Sequence, residues 1–287
     1  MYCPFFQFDK RPFPTCLHSD RLFLSPDHQK GLTLIEYGLT SEAEIMILTG
    51  EVGTGKTLLG QHLRQRASSN QTIGMINQPH PVFGHLMAWL LHAFDIEATD
   101  NPQHAWQSFL VEQQEQGLTL LLIIDEAHHL SNELLEALRL LLNINNDKQL
   151  TLQILLLGQP QLQQHIAQPA LTALHQRIYL RHHLSPLSYL NTEKYITHQL
   201  LAVGSRQRIF SYHAIMAIFY YSQGIPRKIN QLCDFCLTYA YAKAHITVDI
   251  ETVLEVVQAQ QGFEISHHTI EAQAIQQQIQ QQLHVQL

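Results

Sequence analysis

The chain has 287 residues, 45% hydrophobic and 14% charged, which is enough apolar material for one sizeable α/β domain with a smaller companion and too well mixed for a disordered polymer. A formal net charge of −7, from 17 Lys+Arg against 24 Asp+Glu, argues against a protein that coats nucleic acid without regard to sequence. Four scattered cysteines make no disulfide scaffold and no apolar run approaches the roughly 20 residues that span a bilayer, so the expected setting is a reducing cytoplasm.

The N-terminal MYCPFFQFDKRPF breaks its aromatics with Asp9, Lys10 and Arg11 and lacks the apolar heart of a signal peptide. Residues 44–49 (EIMILT) read as a short buried strand that stops at Gly50, and the following LLGQHLRQRA carries apolar residues at helical spacing. Further strands are expected over 72–77, 119–125, 150–157 and 178–184, with helix-like stretches between the first four, which predicts an α/β fold with a largely parallel five-stranded sheet. Past Ser185-Pro186 the strand signals cease. Residues 192–202, 213–222, 229–243 and 250–260 have helical periodicity and predict a separate all-helical subdomain. The Gln-rich end, with Ile275, Ile279, Leu283 and Leu287 four apart, reads as a frayed amphipathic helix or a disordered tail.

Two motifs carry chemistry. Gly50-Glu51-Val52-Gly53-Thr54-Gly55-Lys56-Thr57 fits GxxxxGK[ST] and lies between a strand and a helix that continues through Leu58. Glycines let backbone N–H groups curl around phosphates, the helix N-terminus adds positive potential, Lys56 reaches the β/γ oxygens and the Thr57 hydroxyl ligates Mg²⁺, so ATP with Mg²⁺ is the expected ligand. The second motif is LTLLLIIDEAHHL, whose strand delivers Asp125 and Glu126 at its carboxyl end, where α/β sheets place ligands. Asp125 is expected to hold Mg²⁺ through water, and Glu126 to orient and activate the water that attacks the γ-phosphate.

Asp125-Glu126-Ala127-His128 also spells a helicase tag, but neither a second RecA-like domain nor a QxxGRxGR motif accompanies it, so His128 and His129 are expected at the surface or between domains rather than as helicase elements or metal ligands. Cys233 and Cys236 have metal-like spacing without a second ligand pair and are expected in a helix, at least one of them buried. Trp89 and Trp106 are expected in the core or at a subunit contact.

The segments FFQF…RPF, DRLFLSPDHQKGLTLIEYGL, GEVGTGKTLL, LLIIDEAHHL, LQILLLGQPQL, LHQRIYLRHHLSPLS and GIPRKINQLCD together resemble AAA+ ATPases of the GspA/ExeA type, which serve type II secretion and MSHA-type pilus biogenesis. The resemblance implies a P-loop NTPase with four parts: residues 1–43 packing on the nucleotide site, a 44–184 core, a 185–262 helical lid and a 263–287 tail. It implies Gln159 as the sensor 1 residue, Arg177 as an arginine finger reaching a neighbouring subunit's nucleotide, with Arg181 as rival, and Arg227 as the sensor 2 arginine. By the same resemblance Phe13 and Leu24-Ser25-Pro26 line an adenine pocket. Longer members continue into a transmembrane helix and a periplasmic domain, whereas this sequence ends in the Gln-rich stretch. A short form is therefore implied, homo-oligomeric and acting with an inner-membrane secretion or pilus component. The alternative from another class is a DNA-transposition regulator of the TnsC/TniB type, for which Arg177, Arg181, His182 and His183, with Arg206, Arg208, Arg227 and Lys228 further on, would have to supply a DNA-binding stripe.

Overall fold

A computed structural model of the chain describes residues 1–14, 21–79, 85–97, 99–146 and 152–260. The Gln-rich stretch falls outside these. Two compact units emerge, one of Pro26–Glu51 with Gly55–Ser185, the other of Met1–Ser25, Val52–Thr54 and the residues from Pro186 onward.

The first unit is α/β, with strands β1 (Ile45–Gly50), β2 (Gln71–Ile76), β3 (Thr119–Ile124), β4 (Leu152–Gly158) and β5 (Ile178–Leu184). All pairings are parallel and the order is β2-β3-β4-β1-β5. Strands β1 and β4 are buried at every position, as central parallel strands covered on both faces must be, while β5 at the edge alternates and exposes Tyr179, Arg181 and His183. One sheet face, through Ile47, Leu122, Ile154 and their neighbours, shares a core with Trp89 of helix α3 (Leu86–Ala93), Trp106 of α4 (Pro102–Glu115) and Leu138 of α5 (Asn132–Asn146). Both tryptophans are thus core residues. The other face is covered by α1 (Pro26–Thr40) and α2 (Lys56–Gln65), whose Gly38 and Gly60 lie against Met46 and Leu157. Each such fully buried aliphatic side chain stabilises the fold by about 1.5–3 kcal/mol.

The second unit is helical. Its elements are α8 (Tyr189–Leu201), α9 (Tyr212–Ser222), α10 (Pro226–Ala242) and α11 (Ile250–Ala259), which follow the short α6 (Gln161–Ile166) and α7 (Thr172–Gln176) of the first unit. Side chains of Ser188, Ser211 and Asp249 accept backbone N–H groups at the starts of α8, α9 and α11, and Pro226 opens α10. Helix α9 is buried from Ala214 through Ser222, which makes it the central helix of the unit. Tyr2, Phe8 and Phe13 belong to the same core, and the Tyr2 hydroxyl and Arg11 guanidinium both bond the Asp234 carboxylate. Cys233 and Cys236 are fully buried there, and burial pushes both thiols up, so they are packing residues.

The division differs from the expected 1–43 segment. The aromatics at positions 2, 8 and 13 bury themselves among the helices, whereas residues 26–40 form α1 and pack on the sheet, so the segment divides at Ser25/Pro26.

Candidate active site

In the strand order, β3, β4 and β1 are neighbours, so their carboxyl ends present three chain segments side by side. Asp125 and Glu126 follow β3, Gln159 follows β4, and the glycine loop follows β1. The connection from β1 passes over to β2 at the far edge, which makes this the crevice in which open α/β sheets hold ligands.

The loop of residues 50–57 bends through left-handed backbone at Gly53 (φ 86°) and Gly55 (φ 105°) before α2 starts at Lys56. Lys56 is buried, and its Nζ donates to the carbonyl oxygens of Gly50 (2.8 Å) and Glu51 (2.9 Å). Burial pulls its pKa down against the opposing charges of Glu126, Asp125 and Glu51. Thr57 Oγ1 donates to Asp125 Oδ2 at 2.6 Å, which ties the loop to β3, and Asp125 Oδ1 accepts the Glu126 N–H at 2.9 Å. Burial raises the Asp125 pKa; the bonds from Thr57 and Glu126 and the Lys56 charge pull the other way. Leu58 is half-buried in the first turn of α2.

Glu126 adopts φ 53°, ψ 34°, a left-handed conformation that costs a non-glycine residue roughly 1–2 kcal/mol, and it opens the 3₁₀ turn Ala127–His129. The turn brings His128 between Glu126 and Gln159. Its Nδ1 lies 3.4 Å from Glu126 Oε2 and its Nε2 2.9 Å from Gln159 Nε2, and only 10% of its side chain is exposed. Burial, with a further contribution from His129, lowers the His128 pKa and keeps the imidazole neutral. Of the two placements expected for His128, the surface one does not hold, while His129 is exposed. No local pattern could have revealed the pairing, because 31 residues separate His128 from Gln159 and only the β3–β4 register brings them together. His28 of α1 was also missed. It is buried with its Nε2 against Gly55, 3.0 Å from where a β-carbon would stand.

Arg177 immediately precedes β5 and pairs with Glu44, just ahead of β1, at 3.6 Å. It therefore occupies the amino-terminal edge of the sheet, a strand length of about 20 Å from the carboxyl edge. Arg181, on the exposed face of β5, contacts His175 instead. Arg227 belongs to the helical unit with the loop tip Val52–Thr54, and its N–H donates to Gly53 O at 3.3 Å. Phe13, Arg227, Asn230 and Asp234 line a cavity of about 260 Å³ in that unit.

A family model described as an AAA domain matches residues 39–166. The general secretion pathway protein A of Aeromonas hydrophila is 35% identical over 248 residues, which is 85% of this chain and 45% of that protein, so the chain spans less than half the length of that relative. Among solved structures, the ORC2 protein of Aeropyrum pernix in ADPNP-ADP complexes aligns over 87% of this chain and 71% of its own, with a TM-score of 0.67 at 15% identity. The RuvB Holliday junction branch migration motor of Thermotoga maritima aligns over 87% and 73%, with a TM-score of 0.57 at 18% identity. At such identities these two likenesses speak for the fold alone.

Proposed function

We propose that this chain, which matches an AAA domain model over residues 39–166 and is similar to general secretion pathway protein A, binds ATP with Mg²⁺ in the loop of residues 50–57 and hydrolyses it to drive assembly or rearrangement of a homo-oligomer. The observation that carries this reading is the 2.6 Å bond from Thr57 to Asp125, which joins the phosphate loop to the acid of β3 through two hard oxygen ligands. Hydroxyl and carboxylate oxygens are the donor set that suits Mg²⁺. The metal, when bound, offsets charge on the β- and γ-phosphate oxygens.

The chain's own groups do the rest. Lys56 exchanges its bonds to the Gly50 and Glu51 carbonyls for phosphate oxygens, and its burial makes that charge count for more than it would in water. Glu126, held by a strained backbone beside Asp125, orients the attacking water and takes its proton. Gln159 contacts the γ-phosphate or that water, with the imidazole of His128 beside it at 2.9 Å. Arg177, on the far sheet edge, serves a neighbouring subunit as its arginine finger, and Arg227, fastened to Gly53, acts as the sensor of the nucleotide. By kinship with the secretion protein, the oligomer works with an inner-membrane component of a secretion or pilus apparatus. No helix among the described residues is long and apolar enough to cross a membrane.

Fluorescent-ATP binding to Lys56→Ala tests the site. The ammonium is the one side-chain cation of the loop, and its loss should weaken binding by tenfold or more, on the order of a charged hydrogen bond or two. An unchanged affinity would remove the loop from the reading.

A further inference from the structure

Glu126, His128 and His129 offer one carboxylate oxygen and two imidazole nitrogens whose ligating atoms all lie within 4.8 Å of one another. The 3₁₀ turn is the cause. At three residues per turn it returns His129 to the side of Glu126, and the two histidine rings lie tilted by 39° to one another with centroids 4.0 Å apart. Around a tetrahedral zinc, with nitrogen and oxygen ligands at about 2.0–2.2 Å, neighbouring ligand atoms stand roughly 3.3–3.5 Å apart. The 3.4 Å between His128 Nδ1 and Glu126 Oε2 already has that spacing, and the exposed His129 side chain has room to close the third edge.

The surroundings of His128 complete the case. A metal-bound imidazole ordinarily donates its other ring N–H to an oxygen of the next shell. Gln159 stands at 2.9 Å from His128 Nε2, and rotating its carboxamide by half a turn presents Oε1 as that acceptor. With the proton on Nε2, the Nδ1 lone pair faces Glu126 and receives the Gln159 backbone N–H, at 3.5 Å, which is a weak competitor for it. The cluster consists of Glu126, His128 and His129 and does not include Asp125. Two imidazoles with one carboxylate suit zinc or a similar borderline ion, and not Mg²⁺, which prefers oxygen.

We propose that Glu126, His128 and His129 form a binding site for a borderline transition-metal cation of the Zn²⁺ class, and that occupation of this site holds Glu126 away from the attacking water and so inhibits ATP turnover. The binding half stands on the geometry alone; the inhibitory half rests on the function proposed above.

The test titrates Zn²⁺ into the nucleotide-free full chain against a chelating indicator, beside the variant His129→Ala, which alters an exposed side chain outside the hydrolytic machinery. The parent is expected to bind one Zn²⁺ that His129→Ala binds about tenfold more weakly or not at all. In steady-state turnover with Mg·ATP, the variant should match the parent without zinc and need roughly tenfold more Zn²⁺ for half inhibition. Equal zinc stoichiometry and affinity in parent and variant would overturn the site. Loss of the zinc in His129→Ala with inhibition unchanged would overturn its control of Glu126. Absence of turnover in the parent would count against the proposed function, and the binding titration would still decide the site.

Discussion

Asp125 shows how the site sets function against stability. Its carboxylate is buried beside the phosphate loop, and burial raises its pKa above the ordinary carboxylate range. A carboxyl whose folded pKa exceeds its unfolded value favours the folded state at low pH and loses that contribution as pH rises through the folded value. The nucleotide-free protein therefore carries a cost from Asp125 at neutral pH. Asp125→Asn, which keeps an acceptor for the Glu126 N–H and a partner for Thr57, should melt at a higher temperature than the parent near pH 7 without Mg²⁺. The gap should close as pH approaches the ordinary carboxylate pKa, and a variant that melts lower near pH 7 would contradict this account. At this scale the sequence was legible where partners are neighbours in the chain: Lys56 and Thr57 announce themselves by spacing from Gly50, and the two acids by the strand that carries them. His128 and His28 were not legible, because their partners Gln159 and Gly55 are delivered by sheet register and helix packing.

Among the elements, the turn between α9 and α10 is the most tightly built. Gln223 and Gly224 both take left-handed backbone, and Gly224 O accepts the Leu187 N–H at 2.8 Å. A β-carbon on Gly224 would stand 1.9 Å from the Leu187 carbonyl oxygen, and neither backbone can retreat without breaking that bond. Gly224→Ala is expected to cost about 3 kcal/mol or more, read as a lower denaturation midpoint by urea and circular dichroism. A change below about 0.5 kcal/mol would show that the turn is not held as described. The five strands and the four C-terminal helices were all legible to within a few residues, since continuous apolar runs and helical periodicity mark them unambiguously. Helix α1 was not. Its start has the Ser25-Pro26-Asp27 signature, but Gly31 and Gly38 dilute its periodicity, and they are there because His182 and Met46 press against them.

On the scale of the whole molecule, the chain weaves its N-terminus into the helical unit and its middle into the sheet, an arrangement that sequence position alone conceals. The placement of Arg177 on the sheet edge opposite its own phosphate loop carries a further consequence. If it completes a neighbour's site, an Arg177→Ala subunit retains a working loop and a Lys56→Ala subunit retains a working finger. Mixing the two should restore measurable turnover that neither has alone, highest at intermediate ratios; no recovery at any ratio would assign Arg177 to its pair with Glu44 and nothing more. All of this presupposes that the acids of β3 and the loop of β1 form one hydrolytic site. Glu126→Gln examines that claim most directly, with Mg·ATP affinity and turnover measured on the same preparation. Affinity within about threefold of the parent, with turnover reduced by 10²–10⁴, is the predicted result. Turnover that survives the substitution would contradict the account.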